Sequence, residues 1–357
     1  MKLLAAISQH GLGHLAQAAP VLNALRALHP ELELTIWSGL SNAALRARIA
    51  GPFDHRHEAA DVGLVMHDAM RVDVVASHAA YQAFHADWPA RVQREAAWMQ
   101  AQAFDLVFSD VAYLPLAAGA QAGIRSIALC SLNWADIAQA YLTGQAGMAE
   151  VFGEMVAAYS STHVFLQPTP SMPMPQLPCR SGIAPIAAIG HNQRQALIEQ
   201  FALKKSCKLA LIGFGGIGYQ SQGRLPEVAN VTWLAPDDWQ SCQTDVRDDI
   251  LTFSRLGMPF LDLLASSDVL ITKVGYGSFV EAAAHAVPVL YIDRPDWPET
   301  PVLAAWLAHH GDAVGMTEAD LFSSRLETLL TELCQQPRKP AICAEGAGQA
   351  ARHLLAR

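Results

Sequence analysis

The chain has 357 residues, a formal net charge of −9, 52% apolar residues and 16% charged residues. This length favours two domains, and the composition supplies apolar side chains for two cores, which excludes a disordered chain. The negative charge lacks the basic footprint of nucleic-acid-binding proteins, so no nucleic-acid partner is predicted. Six cysteines without a C-x-x-C pair predict neither a disulfide framework nor a zinc site and fit a cytoplasmic location.

In the first half of the chain, short apolar runs alternate with stretches whose apolar residues recur at helical spacing. The predicted elements are a strand at 2–7, a helix to Leu28, a strand at 32–37, a broken helical region at 75–103, a strand at 105–110, a helix at 114–122 and a strand at 126–130. Alternation of strand and helix predicts a parallel sheet. No run of 18 apolar residues occurs, so no transmembrane segment is predicted, and peripheral membrane contact stays open.

Prolines crowd the middle of the chain, and they predict an extended linker over 165–188 because proline interrupts both helices and central strands. The predicted division is an N-terminal Rossmann-like acceptor domain (1–167), a linker (168–188), a Rossmann-like nucleotide-sugar-binding domain (189–340) and a C-terminal helix (341–357) that packs back toward the first domain.

After the linker the same alternation restarts. The predicted elements are strands at 208–212, 231–234, 269–272 and 287–292, helices at 259–266, 278–286, 300–309 and 341–356, and glycine-containing loops at 213–218 and 273–278. The fold class is therefore α/β with two open parallel sheets. Such sheets bind ligands beyond the carboxyl ends of their strands, so a ligand cleft between the domains is expected.

The segment 273–281 carries the most information. Glycines between a strand and a helix let a ligand approach the backbone, and free N–H groups at the helix start attract an anion, beside which Lys273 adds a positive charge. Glu281 follows Ser278 at the spacing of a capping box, so a capped helix without a ligand is an equal alternative. The functional alternative is a phosphate at the loop and a ribose on the Glu281 carboxylate.

This segment, Asp268-Val-Leu-Ile-Thr-Lys-Val-Gly-Tyr-Gly-Ser-Phe-Val-Glu-Ala282, resembles the donor-binding signature of GT-B glycosyltransferases of the family 1 and family 28 types. With Pro173-Met174-Pro175, it is most similar to the glycosyltransferase-like N-terminal domain of L-arabinokinases. The resemblance implies a GT-B fold with two Rossmann-like domains and metal-independent, inverting transfer from a UDP- or dTDP-linked sugar. The acceptor, a small molecule, a lipid or a protein, is not specified.

The resemblance also implies donor-binding residues. Lys273, Gly275, Gly277 and Ser278 would bind the diphosphate, Glu281 the ribose, Met258 and Phe260 the base, Glu299 and Thr300 the sugar, and Gly215 and Gly216 would let the phosphates come close. Glu299-Thr300 stands where plant members have an acidic residue followed by glutamine, which leaves the sugar open. No cofactor or metal is implied.

In the first half, the loop His10-Gly11-Leu12-Gly13-His14 follows the first predicted strand. A histidine titrates near neutral pH, so His14 is a candidate general base, with His10 as the weaker alternative. The resemblance to inverting GT-B transferases implies that Asp110 orients the His14 ring. A helix-capping role is the structural alternative for each of the two residues.

Other interpretations stay open at this point. The loop 213–218 fits a dinucleotide fingerprint, which makes a dehydrogenase a rival, although no apolar-periodic helix follows it. The acidic and histidine-rich run 54–58, with Asp61, is interpreted as a solvated loop rather than a metal site. A nucleotide-sugar hydrolase and a non-catalytic nucleotide-sugar-binding sensor or partner protein are alternatives to a transferase.

Overall fold

The computed structural model describes residues 1–216, 218–219, 223–241 and 247–356. The chain forms two compact units. The first unit consists of Met1–Ile186 and Ala344–Arg357, and the second unit is Ala187–Cys343. Within the described residues, each unit contains one sheet of parallel strands with helices between them, which confirms the predicted α/β class. No helix in these ranges is long and apolar enough to cross a bilayer.

The described part of the first unit builds a seven-stranded sheet in the order β3-β2-β1-β4-β5-β6-β7. The strands are β1 Lys2–Ile7, β2 Glu33–Trp37, β3 Asp54–Arg56, β4 Leu106–Asp110, β5 Ser126–Leu129, β6 Val164–Pro168 and β7 Arg180–Ile183. The central strands β4 and β5 are buried along their whole length, which explains their continuous apolar runs. The strand order reverses at β1, whose neighbours are β2 and β4, and parallel sheets bind ligands at such a point.

The helices between these strands begin and end at identifiable signals. They are α1 Gly13–Leu28, α2 Asn42–Arg46, α3 Val74–His85, α4 Trp88–Gln102, α5 Leu114–Ala122, α6 Trp134–Leu142 and α7 Met148–Ser160. The Asp73 and Asn133 side chains accept hydrogen bonds from the first turns of α3 and α6. Helix α5 ends at Gly123, whose left-handed φ of 70° suits glycine.

Strands β6 and β7 lie largely within the proline-rich segment, and β6 pairs with both β5 and β7, so the prediction that no central strand lies within 165–188 is wrong. Val164–Leu166 of β6 pair with β5, whereas Pro168 lies beyond that pairing and its missing N–H removes no bond to β5. The prolines at 170, 173, 175 and 178 lie between β6 and β7. Proline excludes a strand only where the ladder needs its N–H group.

The second unit's sheet has, in its described part, six parallel strands in the order β10-β9-β8-β11-β12-β13. They are β8 Lys208–Gly213, β9 Val231–Ala235, β10 Ile250–Thr252, β11 Val269–Lys273, β12 Val289–Ile292 and β13 Ala313–Met316. The order reverses at β8, between β9 and β11. The short strands β10 and β13 flank the sheet and were not predicted from the sequence.

The helices of the second unit are mostly short. They are α8 Arg194–Gln200, α9 Asp237–Ser241, α10 Phe253–Leu256, α11 Phe260–Ser266, α12 Tyr276–Ala284, α13 Thr300–His310, α14 Glu318–Leu321 and α15 Arg325–Gln335. Helix α12 begins two residues earlier than predicted, with Gly275 as its N-cap. Gly277 and Ser278 therefore lie in the first helical turn rather than in a loop.

The last helix, α16 Gly346–Leu355, completes the core of the first unit. Ala350, Ala351 and Leu354 are buried in the same apolar cluster as Leu15 and Leu22 of α1. The Gln349 side chain also accepts a hydrogen bond from the backbone N–H of Ala184 at 2.8 Å. Residues far apart in the sequence thus form one core.

A network of charges around Asp268 links the start of β11 to its neighbours. The carboxylate accepts from Arg194 at 2.7 Å and from the backbone N–H of Leu209 at 2.9 Å, and it lies 3.3 Å from Lys208 Nζ. Burial alone would raise the pKa of Asp268, but the Leu209 N–H and the Arg194 guanidinium outweigh burial and lower it. The ionised carboxylate therefore stabilises the folded second unit.

Replacing Asp268 by asparagine should lower the free energy of unfolding of the second unit by about 1–2 kcal/mol at pH 7, since the charge-assisted bonds are lost. A folded-state pKa below the unfolded value means that this stabilisation is present above about pH 4 and is lost as the pH falls through the folded-state pKa. Urea unfolding at pH 7 and pH 3 should show the difference between variant and wild type shrinking in acid. The control is Asp248→Asn, which changes an exposed aspartate and should leave the free energy of unfolding as in the wild type. If Asp268→Asn lowered this free energy equally at both pH values, the electrostatic cause would be contradicted.

Candidate functional site

A buried histidine–aspartate pair lies where the strand order of the first sheet reverses. His14 is in the first turn of α1 and Asp110 is the last residue of β4, and their side chains are 6% and 0% exposed. His14 Nδ1 lies 3.0 Å from Asp110 Oδ1. With Nδ1–H donating to the carboxylate, Nε2 is the ring atom that can accept a proton.

The backbone brings the two residues together. The Ser8 N–H, just beyond β1, donates to the Asp110 carbonyl at 2.7 Å, so β1 and β4 stay paired to their ends. Gly11, at φ 73°, turns the chain from β1 into α1. Leu12 caps α1 and Tyr113 caps α5, both without a side-chain bond, so neither His14 nor Asp110 is the helix cap that the structural alternative required.

Other polar and aromatic groups surround the pair. The His14 ring lies 5.4 Å from the Trp134 ring, and the partly exposed His10 packs edge-on against the same indole at 4.9 Å. Cys130 Sγ is 3.7 Å from His14 Nδ1, and the potential ligand atoms of His14, Asp110 and Cys130 lie within 4.8 Å of one another. This spacing would also suit a metal ion, but we interpret the cluster as hydrogen bonded, because 3.0 Å is an ordinary hydrogen-bond length. The metal-free site stays a prediction.

Asp61 is a residue of this cluster that the sequence did not reveal. It was grouped with a solvated loop, and that interpretation is wrong: Asp61 is 2% exposed and accepts hydrogen bonds from Ser8 Oγ at 3.1 Å and Trp134 Nε1 at 2.9 Å. The acidic run before it is also partly regular, because Asp54–Arg56 forms β3. Burial raises the pKa of Asp61 to about 6, although the nearby His14 and the two hydrogen bonds lower it.

In the second unit, the predicted diphosphate residues gather at the end of β11 and the start of α12. Lys273 is the last residue of β11 and is partly buried, and Gly275 precedes the helix in an extended conformation. Gly277 and the partly exposed Ser278 follow in the first turn, where backbone N–H groups have no partner within the helix. A nine-residue helix that begins beside a lysine can attract an anion.

Glu281 lies one turn further along α12 and is 2% exposed. The capping-box alternative is wrong, because the helix begins at Tyr276 with Gly275 as its N-cap, so Ser278 is inside the helix. The Glu281 carbonyl accepts a hydrogen bond from His285 Nδ1 at 2.7 Å. The proposed role of its carboxylate on a ribose stays a prediction.

The loop between β12 and α13 brings further charges to Lys273. Burial and the positive charge of Arg294 together lower the pKa of Lys273 to about 8, although Glu299 acts in the opposite direction. Arg294 is 3% exposed, and its guanidinium lies over the Trp297 ring at 4.6 Å. The sequence does not mark Arg294 as a buried cation, because a buried arginine cannot be distinguished from an exposed one in the sequence.

The two residues predicted to contact the sugar are also buried, at 3% for Glu299 and 7% for Thr300. Glu299 Oε2 accepts from Trp297 Nε1 at 3.3 Å, and the Thr300 hydroxyl donates to the Arg294 carbonyl at 2.7 Å. These contacts fix the loop before α13. The Thr300 hydroxyl already donates its proton to the Arg294 carbonyl, so toward a sugar it could act only as an acceptor while this bond is kept.

The remaining predicted donor residues lie in turns of the same unit. Met258 is partly exposed between α10 and α11, and Phe260 begins α11 with its ring against Gly213 at the end of β8. Gly215 and Gly216 follow with φ of 76° and 81°. This left-handed backbone conformation favours glycine whether or not a phosphate lies nearby.

The structure describes only part of the loop 213–218, which fits a dinucleotide fingerprint. Ile217 of the loop 213–218 lies outside the described residues, as do residues 220–222. Between β8 and β9, the residues that are described contain no helix whose N-terminus would receive a pyrophosphate.

Comparison with known proteins shows which proteins this chain resembles in sequence and in fold. No protein-family model matches the chain. L-arabinokinase from Arabidopsis thaliana is 25% identical over 98% of the chain, and the chain spans a third (33%) of the length of that curated relative. Among solved structures, UGT2 of Phytolacca americana, complexed with UDP-2-fluoro-glucose and pterostilbene, is 14% identical with a TM-score of 0.60, covering 99% of this chain and 93% of that one.

A second solved structure is that of a protein named as a UDP-N-acetylglucosamine 2-epimerase of Listeria monocytogenes. It is 14% identical, with a TM-score of 0.57 over 99% of this chain and 94% of that one. At such identities, the likeness concerns the fold rather than the activity. The two parallel sheets and these likenesses over nearly the whole chain identify it as a protein with the GT-B fold of nucleotide-sugar glycosyltransferases.

Proposed function

We propose that the chain transfers a sugar from a nucleoside diphosphate, UDP- or dTDP-linked, to an acceptor hydroxyl, with inversion and without a metal ion. The observation that carries the proposal is the buried pair of His14 and Asp110, with Nδ1 and Oδ1 3.0 Å apart. The similarity to L-arabinokinase and to a plant protein crystallised with UDP-2-fluoro-glucose supports the nucleotide-sugar part.

In this mechanism His14 is the general base. Its Nε2 takes the proton from the acceptor hydroxyl while that oxygen forms a bond to the anomeric carbon, and the bond from this carbon to the diphosphate oxygen breaks. Asp110 holds the ring with Nδ1 protonated and stabilises the imidazolium that results. The sugar thereby changes from one oxygen to another, and the nucleoside diphosphate leaves with the electron pair.

The second unit is assigned the donor. The start of α12 and Lys273 provide positive potential for the diphosphate, whose charge grows as the bond to the sugar breaks. Arg294, which is buried, adds a second positive charge near the partly buried Lys273, and its loop also contains the two sugar candidates Glu299 and Thr300. We assign the ribose to Glu281 and the base to the turn with Met258 and Phe260.

A panel of nucleotide-sugars distinguishes the proposal from its alternatives. Release of nucleoside diphosphate is measured for UDP- and dTDP-linked sugars, with and without mixtures of acceptor alcohols. Release that depends on an acceptor supports transfer, and release at the same rate without one supports a hydrolase. Tight binding without release, measured by calorimetry, supports a sensor or partner protein, and no binding to any member of the panel contradicts all three.

Gly275 permits a sharp test of the donor site. Its φ is −177° and an added Cβ would meet nothing closer than the Lys273 carbonyl at 4.0 Å, so the protein itself tolerates alanine there. If a diphosphate lies against this backbone, Gly275→Ala should weaken donor binding by roughly tenfold or more through steric overlap. Calorimetry of donor binding, together with thermal unfolding, measures both effects.

The matched control is Gly153→Ala, in helix α7 of the first unit, where an added Cβ also meets nothing within 4 Å. It should leave donor affinity unchanged. Full donor affinity in a folded Gly275→Ala protein would place the diphosphate elsewhere.

A further inference from the structure

Two buried carboxylates lie near His14, and the mechanism above uses only one of them. Asp110 contacts Nδ1 directly, whereas Asp61 accepts hydrogen bonds from Ser8 and Trp134. Asp61 is 2% exposed and Asp110 is 0% exposed, and within the described residues no lysine or arginine forms an ion pair with Asp61. A carboxylate buried without a cation is costly, so its position calls for a reason beyond folding.

Trp134 connects Asp61 to the histidine. Its Nε1–H donates to Asp61 Oδ2 at 2.9 Å, and its ring lies 5.4 Å from the His14 ring and 4.9 Å from the His10 ring. Trp134 is the first residue of α6, and its side chain is fully buried. A hydrogen bond that fixes the indole therefore also fixes the surface against which both imidazoles pack.

The charges around Asp61 leave His14 as its main electrostatic partner. The titratable groups that interact with Asp61 are His14 of α1, Asp110 of β4 and three tyrosines. These tyrosines are Tyr81 of α3, Tyr113 just before α5 and Tyr159 of α7. His10 and Cys130 belong to the same cluster. Burial raises the pKa of each of these tyrosines well above 10, so they stay neutral. His14 lowers the pKa of Asp61, and by reciprocity ionised Asp61 favours a protonated His14.

We propose that Asp61 is a positioning residue for His14: its carboxylate holds the Trp134 indole beside the imidazole and supplies a second negative charge that stabilises the imidazolium formed in the reaction. This inference rests on the proposed role of His14 as the base. Asp110 sets the orientation of the ring, and Asp61 sets the free energy at which the ring accepts a proton. With both acids ionised, proton transfer from the acceptor neutralises part of a buried negative charge.

Asp61→Asn tests this inference, because the amide oxygen can still accept from Trp134 Nε1–H and the amide N–H can donate to Ser8 Oγ, while the charge is lost. The titration of His14 is followed by NMR of isotope-labelled histidine, with the signal assigned from His14→Gln. We expect the midpoint of His14 to fall by about one pH unit or more, the size expected for loss of a nearby buried charge. In the transfer assay, kcat should fall roughly tenfold at neutral pH with little change in KM, and its acidic limb should move to lower pH.

Two variants keep the test valid. Ser8→Ala removes one bond that favours the ionised carboxylate, folds without a new buried polar group, and should move the His14 midpoint in the same direction by a smaller amount. Glu95→Gln neutralises another buried acid of the first unit, one paired with Arg56 at 2.7 Å, and should leave the midpoint unchanged.

The outcomes separate this inference from the proposed function. An unchanged His14 midpoint in both Asp61→Asn and Ser8→Ala would overturn the inference, even if the wild-type protein transfers sugars. If the His14 midpoint is lowered in Asp61→Asn but the wild-type protein turns over no nucleotide-sugar, the coupling of Asp61 to His14 is supported and the transferase is contradicted. A midpoint that moves equally in Glu95→Gln would show a general effect of buried acids and would also overturn the inference.

Discussion

Replacing His14 by alanine should lower the rate of sugar transfer about a thousandfold, within the range that a general base contributes. The reason is that the acceptor hydroxyl would keep its proton as it attacks, while the proposed diphosphate site in the second unit keeps all of its groups. Donor affinity should therefore stay almost unchanged. Rates under single-turnover conditions and donor binding by calorimetry measure the two quantities separately.

Two further histidine variants make the result specific. His163 is exposed, and His163→Ala should behave as the wild type. His10→Ala addresses the alternative base, because His10 shares the Trp134 indole with His14 but is less buried. A thousandfold loss in His10→Ala with normal turnover in His14→Ala would transfer the role of base to His10.

Donor binding should weaken above about pH 8 because Lys273 loses its proton there. Burial and the neighbouring Arg294 lower the pKa of Lys273 to about 8 in the unbound protein, and a bound diphosphate favours the charged form and raises it again. The complex therefore holds more protons than the free protein just above pH 8, so affinity falls as the pH rises. Below about pH 7 the lysine is charged in both states and contributes no pH dependence.

Lys273→Ala should lower donor affinity by about 1.5–3 kcal/mol at pH 7, the cost of a charge-assisted hydrogen bond, and should remove the decline above pH 8. Lys273→Arg should keep its charge at all these pH values and bind with little dependence on pH. Calorimetry across pH 6.5–9.5 measures all three proteins, and the exposed Lys205→Ala serves as the control. Wild-type affinity in Lys273→Ala would exclude the lysine from the donor site.

The strands that bear the site could be predicted because they are buried on both faces. β1, β4, β8 and β11 are continuous apolar runs, each followed by glycine or polar residues, and the pattern gives their bounds to within one residue. The short strands β10 and β13 leave no such run. β6 and β7 were missed because the sequence shows where prolines occur but not which N–H groups a sheet needs.

The candidate site was accessible to sequence reasoning only in part. His14 and Asp110 were paired through a resemblance, since nothing in their 96-residue separation shows that β1 and β4 are neighbours. Asp61 follows an acidic, histidine-rich run typical of solvent-exposed loops, and only the fold shows that it is buried against Trp134. Burial and long-range neighbours, which determine proton affinity, are properties of the tertiary structure.

The participation of α16 in the first core has a consequence for the order of folding during synthesis. The second unit, Ala187–Cys343, is complete before the ribosome has made the α16 residues that share an apolar cluster with α1. The first unit must wait with Leu15 and Leu22 incompletely covered until Ala350 and Leu354 emerge. A chain that stops near residue 343 would thus lose part of the scaffold that holds His14, although every residue of the proposed catalytic cluster is present in it.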